Sequence, residues 1–219
     1  MANLIQLREL EKLSGFILVD KPAGIGFASV VKAVKRKFNL PKVGHGGSID
    51  TMASGLFVVV LGDANKFADR IAGADREYEG VFRQGGTTDT GDIYGRAEEC
   101  PNPVSPNELR GDIFQTEPRF CSIRKEGSAA YEIVDTGEHS PFMTHVYKLE
   151  ITDGNFKLKC TARTLVRSLA KEMGVTLESL RRVCMGNFRV EDAIPFSRIL
   201  EMEMKDLASC VTPVKEALR

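Results

Sequence analysis

A glycine-rich segment that carries a single carboxylate and leads into an apolar run constrains the fold of this chain most strongly. Three glycines within residues 44–47 precede Asp50, and Gly55 precedes the valine-rich run 56–61. Glycine supplies the backbone freedom that a tight loop needs, and a short β-branched run predicts a buried strand. The segment therefore predicts a loop that holds an acidic side chain beside a rigid strand, where functional groups often lie.

Asp50 has two interpretations when this segment is taken alone. As a helix N-cap or turn residue it accepts hydrogen bonds from backbone N–H groups and does no chemistry. As a reactive group it lies where a ligand reaches it. The segment by itself favours the cap, so other parts of the chain must decide.

Length and composition predict one globular domain. The chain has 219 residues, of which 42% are hydrophobic and 27% charged, as is typical of soluble proteins. No apolar run reaches the length of a membrane span, and acidic residues interrupt the amino-terminal stretch where a signal peptide would be apolar. We therefore expect a cytoplasmic protein without a membrane partner.

Charge is balanced overall but concentrated locally. Thirty basic residues match thirty acidic ones, which gives no general attraction to nucleic acid. Ahead of the glycine-rich loop, however, lies a basic cluster consisting of Lys32, Lys35, Arg36, Lys37 and Lys42. Its helical spacing predicts the solvated face of an amphipathic helix, which could also neutralise phosphates.

Cysteines and histidines predict no metal site and no disulfide framework. The five cysteines are scattered and odd in number, and the three histidines lack the spacing of metal ligands. The glycines around His45 match neither a P-loop nor a dinucleotide fingerprint. A nucleotide-dependent enzyme thus stays an alternative without a supporting motif.

The residue pattern predicts an α+β fold with a mixed, largely antiparallel sheet flanked by helices. Strands are expected at 15–20, 56–61 and 78–82, and a hairpin is expected to turn at Asp153 and Gly154. The expected helices are 27–38, 63–71, 105–114 with Ser105 as its cap, and 164–173 with Gly174 as its stop.

Three segments in fixed order resemble one enzyme family. They are GFILVDKPAG (15–24), GHGGSIDTMASG (44–55) and REYEGVFRQGGTTDTGDIYG (76–95). Together they resemble the TruB-type tRNA pseudouridine synthases, which have a DKP strand end, a GHxGxLDxxAxG loop and a tyrosine followed by TDTxD. PRFCSIRKEGSAAYE, CTARTLVRSLAKEMG and LRRVCMGNFRVEDAI follow in the family order, so the resemblance covers nearly the whole chain.

The resemblance implies an enzyme that isomerises uridine to pseudouridine in RNA, at position 55 in the T loop of tRNA. It implies no cofactor, no metal and no obligate protein partner, and a target base flipped out of its stack. It also implies a single pseudouridine-synthase-like catalytic domain at 1–219, with an RNA-binding thumb insertion at 115–143 and no PUA domain. A non-catalytic RNA-binding or RNA-folding protein is the alternative.

Three residues receive catalytic roles from the resemblance. Asp50 becomes the nucleophile, Arg167 in ARTLVR its ion-pair partner, and Tyr78 the ring that stacks on the target base. A charged carboxylate in an enclosed site needs such a guanidinium, which favours the ionised form. Without the resemblance, Arg167 would be interpreted as a surface residue on a helix and Tyr78 as a core residue of a strand.

Five residues receive substrate-binding roles in the same way. Lys21 is expected near the cleft, where it supports the loop or a phosphate, and His45 is expected to contact the RNA backbone. Leu180 closes the other side of the pocket, while Arg124 and Lys125 in the thumb contact phosphates. Ordinary packing or surface positions are the alternative for His45 and Leu180.

The chain departs from the family pattern at four positions near the site. The GTYIR glycine and tyrosine are Arg163 and Leu165 here, the leucine before the catalytic acid is Ile49, and the proline after it is Thr51. The first two substitutions change the expected pocket wall. Asp50, Tyr78 and Arg167 are retained, so an active enzyme is still expected.

Overall fold

The computed structural model describes residues 13–117, 119–124, 131–135, 137 and 139–217. Within this part of the chain the strands are β1 (Gly15–Lys21), β2 (Val43–His45), β3 (Ser54–Leu61), β4 (Arg76–Arg83), β5 (Thr87–Thr88), β6 (Ala97–Glu98), β7 (Gly111–Gln115), β8 (Phe120–Arg124), β9 (Tyr131–Asp135), β10 (Phe142–Thr152), β11 (Asn155–Cys160), β12 (Thr176–Met185), β13 (Phe188–Arg189) and β14 (Ile194–Pro195). The helices are α1 (Phe27–Lys37), α2 (Ala68–Ala72), α3 (Val166–Glu172), α4 (Phe196–Glu201), α5 (Met204–Leu207) and α6 (Val214–Ala217), with 3₁₀ turns at Gly62–Phe67, Val190–Asp192 and Ala208–Cys210. Among these helices none has the length and apolar character that crossing a bilayer requires.

One mixed sheet of ten strands organises the molecule. Its strand order is β14-β1-β3-β12-β4-β11-β10-β7, with β2 added to β3 and β13 added to β12. The pairs β1–β14 and β3–β12 are parallel, and the remaining pairs are antiparallel. The predicted α+β fold with a mixed, largely antiparallel sheet is therefore confirmed.

The two halves of the sheet bury their side chains differently. In β1 and β3 nearly every residue is buried, because α1 packs on one face and α2 with β13 on the other. In β11, buried and exposed residues alternate, so one face is covered and the other meets water. The continuous apolar run of β3 is thus buried on both faces, and the alternating sequence of β11 is buried on one face, as each pattern favours.

Most predicted elements are confirmed at their positions. The hairpin between β10 and β11 turns at Asp153 and Gly154, whose φ angles of 49° and 80° suit a tight two-residue turn. Helix α1 buries Val30 and Val34 and exposes its lysines. Gly174, with φ of 67°, follows α3 as its stop.

The predicted helix at 105–114 is wrong. Its start has local support, because the Ser105 backbone N–H donates to Glu108 Oε2 at 2.8 Å. That helical signal extends only through a turn, since Gly111 takes a φ of 85° and the chain then enters β7. In β7 the backbone N–H and C=O groups bond to β10, where Ile113 pairs with Thr144, and so they need no helical partners.

Candidate active site

The glycine-rich loop joins β2 to β3, and two of its glycines are required by close backbone contacts. A Cβ added to Gly46 would lie 2.4 Å from Ile71 Cγ2 of α2. A Cβ added to Gly55, whose φ is 97°, would lie 2.3 Å from the Arg182 carbonyl oxygen of β12. Only glycine fits such approaches without strain. The segment is therefore packed against α2 and β12, and this places Asp50 just before β3, a central strand of the sheet.

Asp50 and Arg167 meet across 117 positions of sequence. Arg167 Nε, at the start of α3, donates to Asp50 Oδ2 at 3.1 Å. The guanidinium is largely buried, with 11% of the Arg167 side chain exposed, whereas 43% of the Asp50 side chain is exposed. Arg167 Nη1 also donates to the Thr90 carbonyl at 3.0 Å, so the TTDTGD segment helps to hold it. Among the described residues no backbone N–H donates to the Asp50 carboxylate, and its hydrogen bond comes from Arg167, so the geometry favours the ion pair over the cap.

A cavity of about 290 Å³ opens around this ion pair, and we call it the Asp50 cavity. Tyr78 from β4 and Leu180 from β12 line it, and each is 5% exposed. Phe27, the first residue of α1, lies on its wall as well. The structure thus brings Asp50, Arg167, Tyr78 and Leu180 to one small cavity that has both charged and apolar walls.

Two larger open depressions lie elsewhere on the described surface, with volumes of about 660 and 960 Å³. Asp50 and Arg167 line neither of them. Their size does not make them sites: acidic and basic side chains line both, but on open surfaces, whereas Asp50 and Arg167 are hydrogen-bonded to each other in a smaller cavity. The smaller Asp50 cavity has the convergent polar groups that a reactive site needs.

Lys21 is fully buried beneath the loop. Its Nζ donates to the backbone carbonyls of Pro22 and Ile25, both at 2.9 Å, and to those of Thr51 and Ala53. Burial, followed by repulsion from Arg182, lowers its pKa from 10.5 to about 8, while the charge of Asp50 acts in the opposite direction. Of the two roles expected for Lys21, support of the loop fits these contacts, and no phosphate could reach the ammonium in this conformation.

His45 lies at the end of β2 beside the wall of the Asp50 cavity. Its Nδ1 accepts the Gly47 backbone N–H at 3.2 Å, so Nε2 carries the proton of the neutral ring. The ring meets Phe27 edge-on, at 5.0 Å between centroids. Burial, and then the charge of Arg182, lowers its pKa below 6.5, which keeps the imidazole neutral at pH 7.

The predicted thumb residues lie at the limit of what the structure describes. Arg124 is the last residue of β8, and Lys125 lies outside the described residues. Their contacts with RNA therefore stay predictions. Two of the departures from the family pattern have clear contacts. The Arg163 guanidinium lies 4.5 Å from the centre of the Phe142 ring. Leu165, on the cavity wall, is bonded through its backbone N–H and C=O to the side-chain amide of Gln115.

Two arginines at the site were missed by sequence reasoning. Arg76, at the start of β4, lines the Asp50 cavity. Arg182 is completely buried and donates from Nε to the Leu56 carbonyl at 2.8 Å and from Nη1 to the Ser48 carbonyl at 2.9 Å. The available signal was alternation along β12, because Arg182 shares the inward face with Leu180 and Cys184.

The sequence of this chain matches one family of known proteins. The model described as "TruB family pseudouridylate synthase (N terminal domain)" matches residues 35–168, which is more than half of the chain. The tRNA pseudouridine synthase B of Opitutus terrae is 31% identical over 98% of this chain and 98% of its own. The enzyme of the same name from Methylobacillus flagellatus is 30% identical over 96% of this chain and 77% of its own.

A solved structure agrees in fold. In the crystal structure of a Cbf5–Nop10–Gar1 complex, one chain superposes with a TM-score of 0.66 at 22% identity. The superposition covers 97% of this chain and 63% of that one. At this identity the likeness concerns the fold, and it is the sequence matches over most of the chain that establish the relationship. The chain belongs to the TruB family of pseudouridylate synthases.

Proposed function

We propose that this protein isomerises uridine 55 in the T loop of tRNA to pseudouridine, with Asp50 as the nucleophile. Membership of the pseudouridylate synthase family supports the reaction, and relatives named tRNA pseudouridine synthase B support the substrate. The observation that carries the assignment of the nucleophile is the 3.1 Å hydrogen bond from Arg167 Nε to Asp50 Oδ2 inside the Asp50 cavity.

The chemistry needs one nucleophilic carboxylate and room for a base to turn. The N1–C1′ bond of uridine breaks and a C5–C1′ bond forms, while C5 loses a proton and N1 gains one, so no net oxidation occurs. Arg167 donates to Asp50 Oδ2, and among the described residues no hydrogen bond engages the other oxygen, Oδ1. That oxygen is free to attack the sugar or the base, while the bonded oxygen keeps the carboxylate oriented.

Tyr78 and Leu180 give the cavity walls that suit a detached uracil. The phenol ring offers a planar face for stacking and a hydroxyl that can take part in proton removal at C5. Leu180 offers an apolar surface on the neighbouring strand β12, where it pairs with Gly80 of β4, two residues after Tyr78. Flipping a nucleotide costs a few kcal/mol, and stacking against such walls offsets part of that cost.

The surface around the cavity suits an RNA backbone. Helix α1 starts at Phe27 on the cavity wall and exposes Lys32, Lys35, Arg36 and Lys37. Cationic side chains on one exposed face release counterions when they bind phosphates. The paired strands β8 and β9 lie in the sequence range 115–143, the proposed thumb, which includes Arg124 and Lys125 and forms part of a proposed single catalytic domain at 1–219. His45 is proposed to contact the target strand beside the loop.

The direct test is to map pseudouridine in an unmodified tRNA transcript after incubation with the purified protein. We expect one new pseudouridine, at position 55, and none in a matched transcript whose only change is U55→C. Pseudouridine at other positions with none at 55 would overturn the target. RNA binding without any pseudouridine would instead select the non-catalytic alternative. Cytoplasmic location and action without an obligate protein partner stay predictions from the sequence.

A further inference from the structure

Arg182 makes contacts on both sides of Asp50 without touching its carboxylate. Its Nε donates to the Leu56 carbonyl at 2.8 Å and its Nη1 to the Ser48 carbonyl at 2.9 Å. Ser48 precedes Asp50 in the loop, and Leu56 follows it in β3. A planar guanidinium has a rigid set of N–H directions, so two such bonds fix the separation and the orientation of the two carbonyls.

Lys21 also donates hydrogen bonds to backbone carbonyls of the segment that Arg182 holds. Its ammonium donates to the carbonyls of Thr51 and Ala53, which lie between those that Arg182 binds. Arg182 therefore holds the two ends of the segment 48–56, and Lys21 holds its middle. Asp50 lies between these anchors, and its side chain is left to meet Arg167.

The burial of Arg182 is poorly explained by stability alone. It is fully buried, and no acceptor lies within hydrogen-bond distance of its Nη2 among the described residues. The Tyr78 side chain and the charge of Asp50 favour its charged form, whereas Arg76 and Lys21 oppose it. Among the described residues no carboxylate is bonded to this guanidinium, so no ion pair offsets the cost of burying its charge. A role in placing the loop accounts for a cation at this position.

We propose that Arg182 is a positioning residue for Asp50, which holds the segment 48–56 so that the carboxylate meets the guanidinium of Arg167. This inference rests on the proposed function, because it takes Asp50 as the nucleophile. Arg182 acts through the backbone of the loop and does not contact the substrate. Its role is therefore distinct from that of Arg167, which binds the carboxylate itself.

The test compares Arg182→Met and Arg182→Lys with the same two substitutions at Arg181. Arg181 is the adjacent residue of β12, partly exposed and paired with Asp20, so it serves as a matched control. For Arg182→Met we expect single-turnover isomerisation to fall at least about 100-fold, the size of effect that a displacement of about 1 Å produces. tRNA affinity should stay near the wild-type value, and Tm should fall by no more than a few degrees, because two carbonyls lose their donor while the cost of burying the charge is removed. The Arg181 variants should react at nearly the wild-type rate.

Two structural readouts separate positioning from a general loss of fold. Backbone hydrogen exchange at residues 46–53 should rise in both Arg182 variants, while exchange in α3 should not change. The NMR signal of Arg167 Nε–H, assigned by its loss in Arg167→Lys, should lose its hydrogen-bonded shift. Arg182→Lys keeps the charge but not the rigid pair of donors, so it should recover only part of the rate.

Each outcome decides the proposal. A folded Arg182→Met with the wild-type rate would overturn it, and so would a slow variant whose loop exchange and Arg167 signal are unchanged. If both Arg182 variants fail to fold while the Arg181 variants fold, Arg182 is a residue of the folding core and the proposal is wrong. A wild-type protein that makes no pseudouridine would contradict the proposed function instead, and the exchange and NMR measurements would still decide whether Arg182 places Asp50.

Discussion

Two of the aspartate–arginine pairs in this molecule, Asp20–Arg181 and Asp50–Arg167, contain the same groups but differ in geometry. Arg181 Nη1 and Nη2 donate to the two oxygens of Asp20 at 2.9 and 2.8 Å. Arg167 makes one bond to Asp50, from Nε to Oδ2 at 3.1 Å. In the first pair both carboxylate oxygens are engaged by the guanidinium, whereas in the second pair Oδ1 has no hydrogen-bond partner among the described residues. The proposed nucleophile is thus the aspartate that keeps one oxygen available.

The two arginines also differ in their other contacts. Arg167 divides its N–H groups between two partners, since Nε donates to Asp50 and Nη1 donates to the Thr90 carbonyl at 3.0 Å. Arg181 has both Nη groups on Asp20. The TTDTGD segment therefore shares the Arg167 guanidinium with Asp50. Because both pairs contain the same residue types, their different geometry follows from the fold around each arginine.

The largest contrast is expected from removing each carboxylate. Asp50→Asn should reduce pseudouridine formation by at least about 10⁴-fold, because loss of a nucleophile removes the chemical step itself. Asp20→Asn should leave the rate within about tenfold, since Asp20 pairs with Arg181 and neither residue lines the Asp50 cavity. Tritium release from RNA labelled at uridine C5 measures both rates, and tRNA binding by each variant serves as the control.

Equal losses in these two variants would show that the one-oxygen geometry does not mark the reactive pair. Retained turnover in Asp50→Asn would refute the assignment of the nucleophile outright.

The second contrast exchanges each arginine for lysine. Arg167→Lys should lower kcat by about 10²–10³-fold, because one ammonium cannot keep both the Asp50 and the Thr90 contacts in their present directions. The KM for tRNA should change little. Arg181→Lys keeps a charge beside Asp20 and should change kcat less than threefold. Single-turnover rates at saturating tRNA check this, and comparable losses at the two sites would remove the distinction between the pairs.

The sequence predicted the scaffold better than it predicted this pairing. The apolar run before Leu61, the hairpin at Asp153 and the stop at Gly174 are local signals, and each is confirmed. Arg167 was assigned to Asp50 only through the family resemblance, because nothing local in ARTLVR indicates a partner 117 positions away. Long-range pairing depends on how α3 packs on the sheet, which local patterns do not contain.

Other parts of the site were hidden for a different physical reason. A doublet of arginines in a strand predicts a charged surface, yet because side chains alternate along β12, Arg181 is partly exposed and pairs with Asp20, whereas Arg182 lies in the core. Only the register of β12 against β3 and β4 reveals this. At 105–114 the local helix signal failed, because pairing with β10 outweighed the cap at Ser105. Backbone partners far away in sequence decided both cases.

The third contrast is between a buried and an exposed lysine. Lys21, the residue after Asp20 in β1, is fully buried beneath the loop, whereas Lys157 of β11 is exposed. The pKa of Lys21 in the folded protein is about 8, against 10.5 when exposed. Below pH 8 the lysine is charged in both states, and between pH 8 and 10.5 only the unfolded state keeps the proton. The free energy of unfolding should therefore rise with pH across that window, by up to roughly 3 kcal/mol.

Denaturant unfolding of the wild type and of Lys21→Met at several pH values between 7 and 11 isolates this effect, because the other titrating groups are shared. The wild type should gain stability relative to Lys21→Met as the pH rises. The exposed Lys157→Met serves as a control whose difference from the wild type should stay nearly constant. Parallel curves for Lys21→Met would mean that the buried ammonium keeps an ordinary pKa and that burial is not its dominant influence.

The smallest contrast sets the Asp20–Arg181 pair against an ion pair on the open face of the sheet. Lys157 and Glu79 lie on paired strands with Nζ and Oε1 3.7 Å apart, and their side chains are 72% and 49% exposed. A single long contact between exposed flexible chains should give a coupling energy near zero, whereas the two-bond Asp20–Arg181 pair should give about 0.5–1 kcal/mol. Double-mutant cycles to alanine, followed by denaturant unfolding, measure both. Equal coupling energies would mean that two hydrogen bonds stabilise the Asp20–Arg181 pair no more than one long contact does. Asp20 and Asp50 would then differ only in the effect of their substitution on the reaction rate.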